Sequence, residues 1–175
     1  MVRAVLLFIL KLAIVSVALF ILWQGELPGA GAFWPGGVEQ FWLAWQMALL
    51  RWLHRLLGMN AQTFNDAWLF ARGYVLSVVP YLGLMIVGGP LSLRERLVRG
   101  LYGLGIIALW QVATPLVLYI LRSHYGGGRT FFIGVFPIFM FSYALPFVLW
   151  VVLSRGRIEQ WLAQYHPPTA PAHQA

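Results

Sequence analysis

The sequence predicts an all-α fold: a polytopic transmembrane helix bundle of about four spans with one interfacial amphipathic helix. Three observations carry this. Four apolar stretches, near Ala4–Trp23, Gly73–Gly88, Leu97–Leu121 and Phe131–Leu153, are each close to the length that crosses a bilayer. A hydrocarbon core about 30 Å thick takes about 20 helical residues. Of the 175 residues, 61% are hydrophobic and 10% charged, where a soluble domain carries about 25% charged. Mean hydropathy is +0.76. Residues 1–165 read as one membrane domain and 166–175 as a disordered tail.

The first stretch holds 14 Leu, Ile, Val or Phe residues between Ala4 and Trp23. At about −0.3 to −0.6 kcal/mol each they favour insertion by about 4–8 kcal/mol, more than the roughly 3 kcal/mol that Lys11 costs. Lys11 lies off centre, so its stem can snorkel toward the nearer headgroups. A cleaved signal peptide is the rival reading, because Ala30-Gly31-Ala32 resembles a cleavage site. The length of the apolar run and the intervening Glu26 argue against it.

Gln24–Gly37 is rich in Gly and Pro and reads as loop. Val38–Gly58 is expected to form a different kind of helix. Phe41, Trp42, Trp45, Leu49, Trp52, Leu53 and Leu56 fill one side, and Gln40, Met47, Arg51, His54 and Arg55 the other. Arg51 and Arg55 are i,i+4 neighbours. Trp on the apolar face and Arg on the polar face place such a helix in the interface plane. Trp42, Trp45, Trp52, Arg51 and Arg55 are its expected anchors. A fifth, shorter span is the alternative, made costly by Arg51, His54 and Arg55.

Met59–Arg72 is more polar and returns the chain to the membrane. The second span contains Pro80 and ends at Gly88-Gly89-Pro90. Ser92 and Glu95 have capping-box spacing at the start of the third. Gly100, Gly103 and Ala108 allow close helix contact there. A Gly-rich loop, Arg122–Thr130, leads to the fourth span. Ser154–Tyr165 is expected as a short surface helix. With a non-crossing amphipathic helix, Arg3, Arg94, Arg96, Arg99, Arg155 and Arg157 face one side, against Arg51, Arg55, Arg72, Arg122 and Arg129. This bias sets both termini in the cytoplasm.

The formal charge of +7 sits at span ends and on the amphipathic helix, which suits anionic headgroups rather than nucleic acid. The lipid bilayer and another membrane protein are therefore the expected partners. The chain has no cysteine, which removes disulfides, thiol catalysis and thiolate-held clusters. No motif calls for a cofactor or a metal, and no catalytic set is evident. Pro80, Pro115, Pro137 and Pro146 each remove a backbone hydrogen bond and are expected to kink their helices. Their freed carbonyls either line a polar cavity or are absorbed by packing. His124 and Arg122 share the Gly-rich loop, Arg72 stands near Asp66 before the second span, and Gln111 and Thr114 are polar groups one turn apart in the third. Gln111 and Thr114 suit interhelical hydrogen bonds.

From about Phe41 to Leu153 the chain resembles the exosortase/archaeosortase family of membrane transpeptidases. The resemblance lies in Leu-Leu-Arg-Trp-Leu-His-Arg-Leu-Leu-Gly, in Tyr-Val-Leu-Ser-Val-Val-Pro-Tyr-Leu-Gly, and in Leu-Arg-Glu-Arg-Leu-Val-Arg-Gly-Leu-Tyr-Gly-Leu-Gly. A histidine-bearing loop and a last span follow. The family's catalytic cysteine would fall near Pro80 or Tyr81 and its arginine near Thr114; neither is present, and His124 alone stands in for the histidine. Cysteine-transpeptidase chemistry is excluded. The resemblance implies a non-enzymatic accessory factor of a bacterial inner membrane, binding a partner membrane protein or a lipid-linked substrate in surface-protein sorting or polysaccharide export. A structural or assembly subunit of a larger membrane complex is the second expectation. A cysteine-free enzyme or transporter using His124, Arg122 and Arg72 is the third.

Overall fold

The computed structural model describes residues 2–27, 31–32, 37–72, 77–88, 91–126 and 128–165; the expected disordered tail lies outside them. The chain is all-α apart from one two-residue ladder. The helices are α1 (Val2–Gln24), α2 (Gly37–Leu56), α3 (Ala61–Arg72), α4 (Val78–Val87), α5 (Leu93–Tyr125) and α6 (Arg129–Tyr165). The ladder pairs β1 (Glu26–Leu27) with β2 (Gly31–Ala32) in the segment read as loop, with Glu26 opposite Ala32. Among the described residues three helical segments are long and apolar enough to cross a membrane: Val5–Gln24, Leu93–Tyr125 and Arg129–Gln160. The chain is an integral membrane protein on that ground.

Two expectations about the elements are corrected. Of the second apolar stretch, expected over 73–88, residues 73–76 lie outside the described residues, and the helix described is α4, 10 residues and about 15 Å long, against roughly 30 Å for a crossing. Pro80 is the third residue of α4 and does not kink it, because the first N–H groups of a helix have no partner to lose. The surface helix expected at Ser154–Tyr165 is instead the continuation of the last span, giving one helix of 37 residues. Gly156 is the sole weak helix former at that junction, and the Arg155–Glu159 pair at i,i+4, 2.8 Å, supports continuity. Pro115, Pro137 and Pro146 lie inside unbroken helices.

An element the hydropathy reading passed over is α3. The Asn60 side chain starts it by accepting from the backbone N–H groups of Gln62 (3.0 Å) and Thr63 (3.1 Å). Phe64 and Trp68, one turn apart, are buried and pack with Leu50 and Val112. So the polar return is a helix packed on the C-terminal half of α5, near Val112, Leu116 and Tyr119.

Two close approaches set the helix spacing. Gly37 opens α2 at φ +52° with its Cα against the backbone of Trp23 and Gln24, so only glycine joins α1 to α2 without strain. Gly103 in α5 faces the phenol ring of Tyr81, and a Cβ there would overlap it. Tyr81 is fully buried and donates to the Arg99 carbonyl at 2.7 Å. α4 runs antiparallel to α1, with Gly83 against Leu12 and Ser16.

A polar clamp closes one end of the bundle. Ser92 and Glu95 form a complete capping box on α5. Glu95 also receives Arg157 of α6 at 2.9 Å, and Arg99 donates to the Leu153 carbonyl at 2.7 Å. Arg96 reaches the carbonyls of Leu91 and Ile86 at the end of α4.

Gly103→Ala is expected to lower stability by about 1–3 kcal/mol, the usual cost of overpacking. Gly105→Ala, where the space is open, is expected to be neutral or stabilising by up to about 1 kcal/mol through helix propensity. Thermal unfolding of both variants in the same detergent measures the contrast.

Candidate functional site

Depth along α5 locates the site. Arg99 and Arg122 flank its apolar part, 23 residues apart, about 34 Å of helix. That matches a hydrocarbon core of about 30 Å. Gln111 lies twelve residues from one and eleven from the other, at mid-depth. Its side chain is 4% exposed.

Gln111 is the centre of a buried hydrogen-bond cluster. Its Oε1 accepts from Trp42 Nε1 and from Gln46 Nε2, both at 2.7 Å. Its Nε2 donates to Ser77 Oγ at 3.2 Å. Three parts of the chain therefore meet on one carboxamide: α2 through Trp42 and Gln46, α5 through Gln111, and the N-cap of α4 through Ser77. Gln46 is fully buried. Its Oε1 has no hydrogen-bond partner, and neither does the buried Nε1 of Trp23. The Trp23 ring lies 6.0 Å from that of Trp42. A second polar link joins α5 to α6, from Trp110 Nε1 to Ser142 Oγ at 2.8 Å.

Beside this cluster is an apolar groove of about 410 Å³, walled by α1, α4 and α6. Ser16, Val17 and Phe20 form one wall, Val79 and Pro80 the floor, and Tyr143 the far wall; Ser77 stands at its edge. The hydroxyl of Ser77 thus connects an apolar channel to the buried amides. Carboxamide, indole and alcohol groups donate and accept without ionising near neutral pH.

The residues singled out from sequence are not gathered at one place. Gln111 is in the cluster. Thr114 is buried but bonds within its own helix, donating to the Trp110 carbonyl at 2.8 Å. Arg122 stands 5.9 Å over the Phe131 ring at the C-terminal end of α5. His124 is exposed there, 6.3 Å from the Tyr125 ring. The side chain of Arg72 lies outside the described residues. Of the helix α2 anchors, Trp52 is 58% exposed and Arg51 and Arg55 are exposed. Trp42 and Trp45 are half-buried, with their rings edge to face at 5.7 Å. Trp42 turns inward because Gln111 accepts its indole proton. Among the described residues no three of His, Asp and Glu come together as a metal site.

The residues missed from sequence are Gln46, Ser77, Trp110 and Ser142. Gln46 carried a usable signal: an amide on a Trp-rich helix four residues after Trp42 shares its face. Ser77 carried none. No protein-family model, curated protein or solved structure matches this chain.

Gln111→Leu is expected to strand two donors, the Trp42 indole and the Gln46 amide, in a dry interior at about 1–3 kcal/mol. That exceeds the roughly 0.6 kcal/mol average for interhelical hydrogen bonds in membranes. The pair Gln46→Leu with Gln111→Leu is expected to cost less than the two single changes added, since each removes a group the other strands. Thermal unfolding of the four-member cycle measures the coupling.

Proposed function

We propose that this protein is a non-catalytic integral protein of a bacterial inner membrane, an exosortase-like accessory factor. It binds the apolar part of a lipid-linked substrate, or a transmembrane segment of a partner protein, in surface-protein sorting or polysaccharide export. The observation that carries this reading is the apolar groove between α1, α4 and α6, with Ser77 at its edge and the Gln111 amides behind it. A chain diffusing in the bilayer enters such a groove sideways, without leaving hydrocarbon. Polar groups at one edge fix its register, which is how mostly apolar sites obtain specificity. The absence of cysteine supports binding over transpeptidation.

The topology that goes with this reading has four crossings and both termini in the cytoplasm. The short α4 and the preceding α3 together form the returning limb, and α2 enters from the outer side without crossing, its Trp42 and Gln46 reaching Gln111 at the middle of α5. The exposed residues Gln40 and Arg55 report on it. Cysteines placed at these two positions in the cysteine-free chain are expected to react with an impermeant maleimide from the outside. Labelling of either from the cytoplasm alone makes α2 a span and removes this topology.

Purification in a mild detergent is expected to recover the protein with a bound lipid-linked molecule or membrane protein. Val17→Trp, which fills the groove from its exposed wall, is expected to reduce that recovery at least tenfold while the protein accumulates normally. Mass spectrometry of lipids and proteins in the eluate is the readout. Recovery of the wild-type protein alone overturns the reading.

A further inference from the structure

The apolar window of α1 has none of its residues buried in the protein. Leu12 and Ser16 meet Gly83 and Leu19 borders the core, so one flank is covered and the rest faces outward. On the open side Leu7, Lys11, Ile14 and Ala18 recur at spacings of four, three and four. That spacing, seven residues per two turns, is the one a packed helix pair uses. Leu7 is 48% and Ile14 61% exposed, and Lys11 and Ala18 are exposed as well. The groove lined by Val17 and Phe20 lies on another side of the same helix.

Lys11 makes this seam chemically specific. Phe8 packs against Trp150, 6.3 Å between ring centres, and Trp150 is one turn inside Leu153, whose carbonyl meets Arg99 in the polar clamp. Lys11 is nearly another turn deeper, so its backbone lies about 9 Å inside the clamp. Among the described residues, no carboxylate answers it. Glu26 lies past the opposite end of α1, Glu39 receives Gln24, Glu95 holds Arg157 and Arg99, and Glu159 holds Arg155. An ammonium at that depth is costly unless it is paired or reaches the headgroups.

We infer that the Leu7–Lys11–Ile14–Ala18 seam of α1 docks a transmembrane helix of a partner protein that carries an Asp or Glu opposite Lys11. Charge complementarity selects the occupant: the partner supplies the carboxylate that this chain lacks there. Ala18 lets the two helices approach closely, one heptad beyond Lys11. The inference rests on the reading that the protein works by binding another membrane component, and it assigns the protein partner a face separate from the groove.

The test is site-specific photocrosslinking in native membranes with the full chain. A photoreactive amino acid replaces Ile14 on the seam, or Ile9, which is 54% exposed and roughly half a turn away. Ile14 is expected to give a discrete protein adduct. Its crosslinked peptide is expected to lie in an apolar segment long enough to span and to contain Asp or Glu. Ile9 is expected to give mainly lipid adducts. Lys11→Met is expected to reduce the protein adduct at least tenfold, and Lys11→Arg to retain it, with both variants accumulating as wild type does. Adducts to lipid alone at Ile14 overturn the inference and leave Lys11 snorkelling to headgroup phosphates. A protein adduct without a carboxylate in the segment, or one indifferent to Lys11→Met, overturns it too. If detergent purification still recovers a groove-bound component, the docking seam fails while the groove reading stands.

Discussion

One carboxamide at mid-depth of the bundle accepts two hydrogen bonds on its oxygen and donates one from its nitrogen, and the register of three helices follows from it. Gln111 Oε1 has two lone-pair sites, and Trp42 and Gln46 use both. In water such an oxygen would exchange partners freely. In a dry interior the alternative to a partner is an unpaired polar group, so the geometry is held. This fixes where α2 lands on α5. Because the same side chain donates to Ser77, it also fixes where α4 begins. The ten-residue α4 has its N-cap residue, Ser77, inside the bundle, and a neighbouring amide donates to that residue's hydroxyl.

The rest of the molecule distributes polar chemistry to the ends and apolar contact to the flanks. At one end Glu95 gathers its own cap and Arg157, tying α5 to the tail of α6. Toward the other, the Tyr119 hydroxyl accepts from the Asn60 backbone at 3.0 Å, tying α5 to the start of α3. Between them the contacts are apolar and tight, as at Gly103 against Tyr81. α1 is the exception: it touches the bundle along one flank and leaves the rest open. The bundle is closed around Gln111 and open around α1.

Much of the helical plan was legible because hydrophobicity and length carry it. The three long apolar helices, the capping box at Ser92 and Glu95, and the close approach at Gly103 all follow from local pattern. What escaped depended on tertiary partners. α4 reads as part of a span by composition, yet the helix described there has 10 residues. α3 looked like a polar link because its polar residues interrupt the apolar ones, and the buried pair Phe64 and Trp68 is only one turn long. The join of the last span to Ser154–Tyr165 was hidden by the charges there, which look like a boundary and in fact form an i,i+4 pair within one helix. For the site, Gln111 was visible as a polar residue in an apolar run. Its partners were not, because a tryptophan on an amphipathic helix looks the same whether its indole meets a headgroup or an amide.

The account turns on the Gln46–Gln111 contact in a bilayer. Solid-state NMR on protein with isotope-labelled glutamine in lipid vesicles detects it directly, as a through-space correlation between two glutamine side chains. The account predicts such a correlation in the wild-type protein, lost in Gln46→Leu and equally in Gln111→Leu. A wild-type spectrum without it, or a correlation that survives Gln46→Leu, would contradict the arrangement on which the site is built.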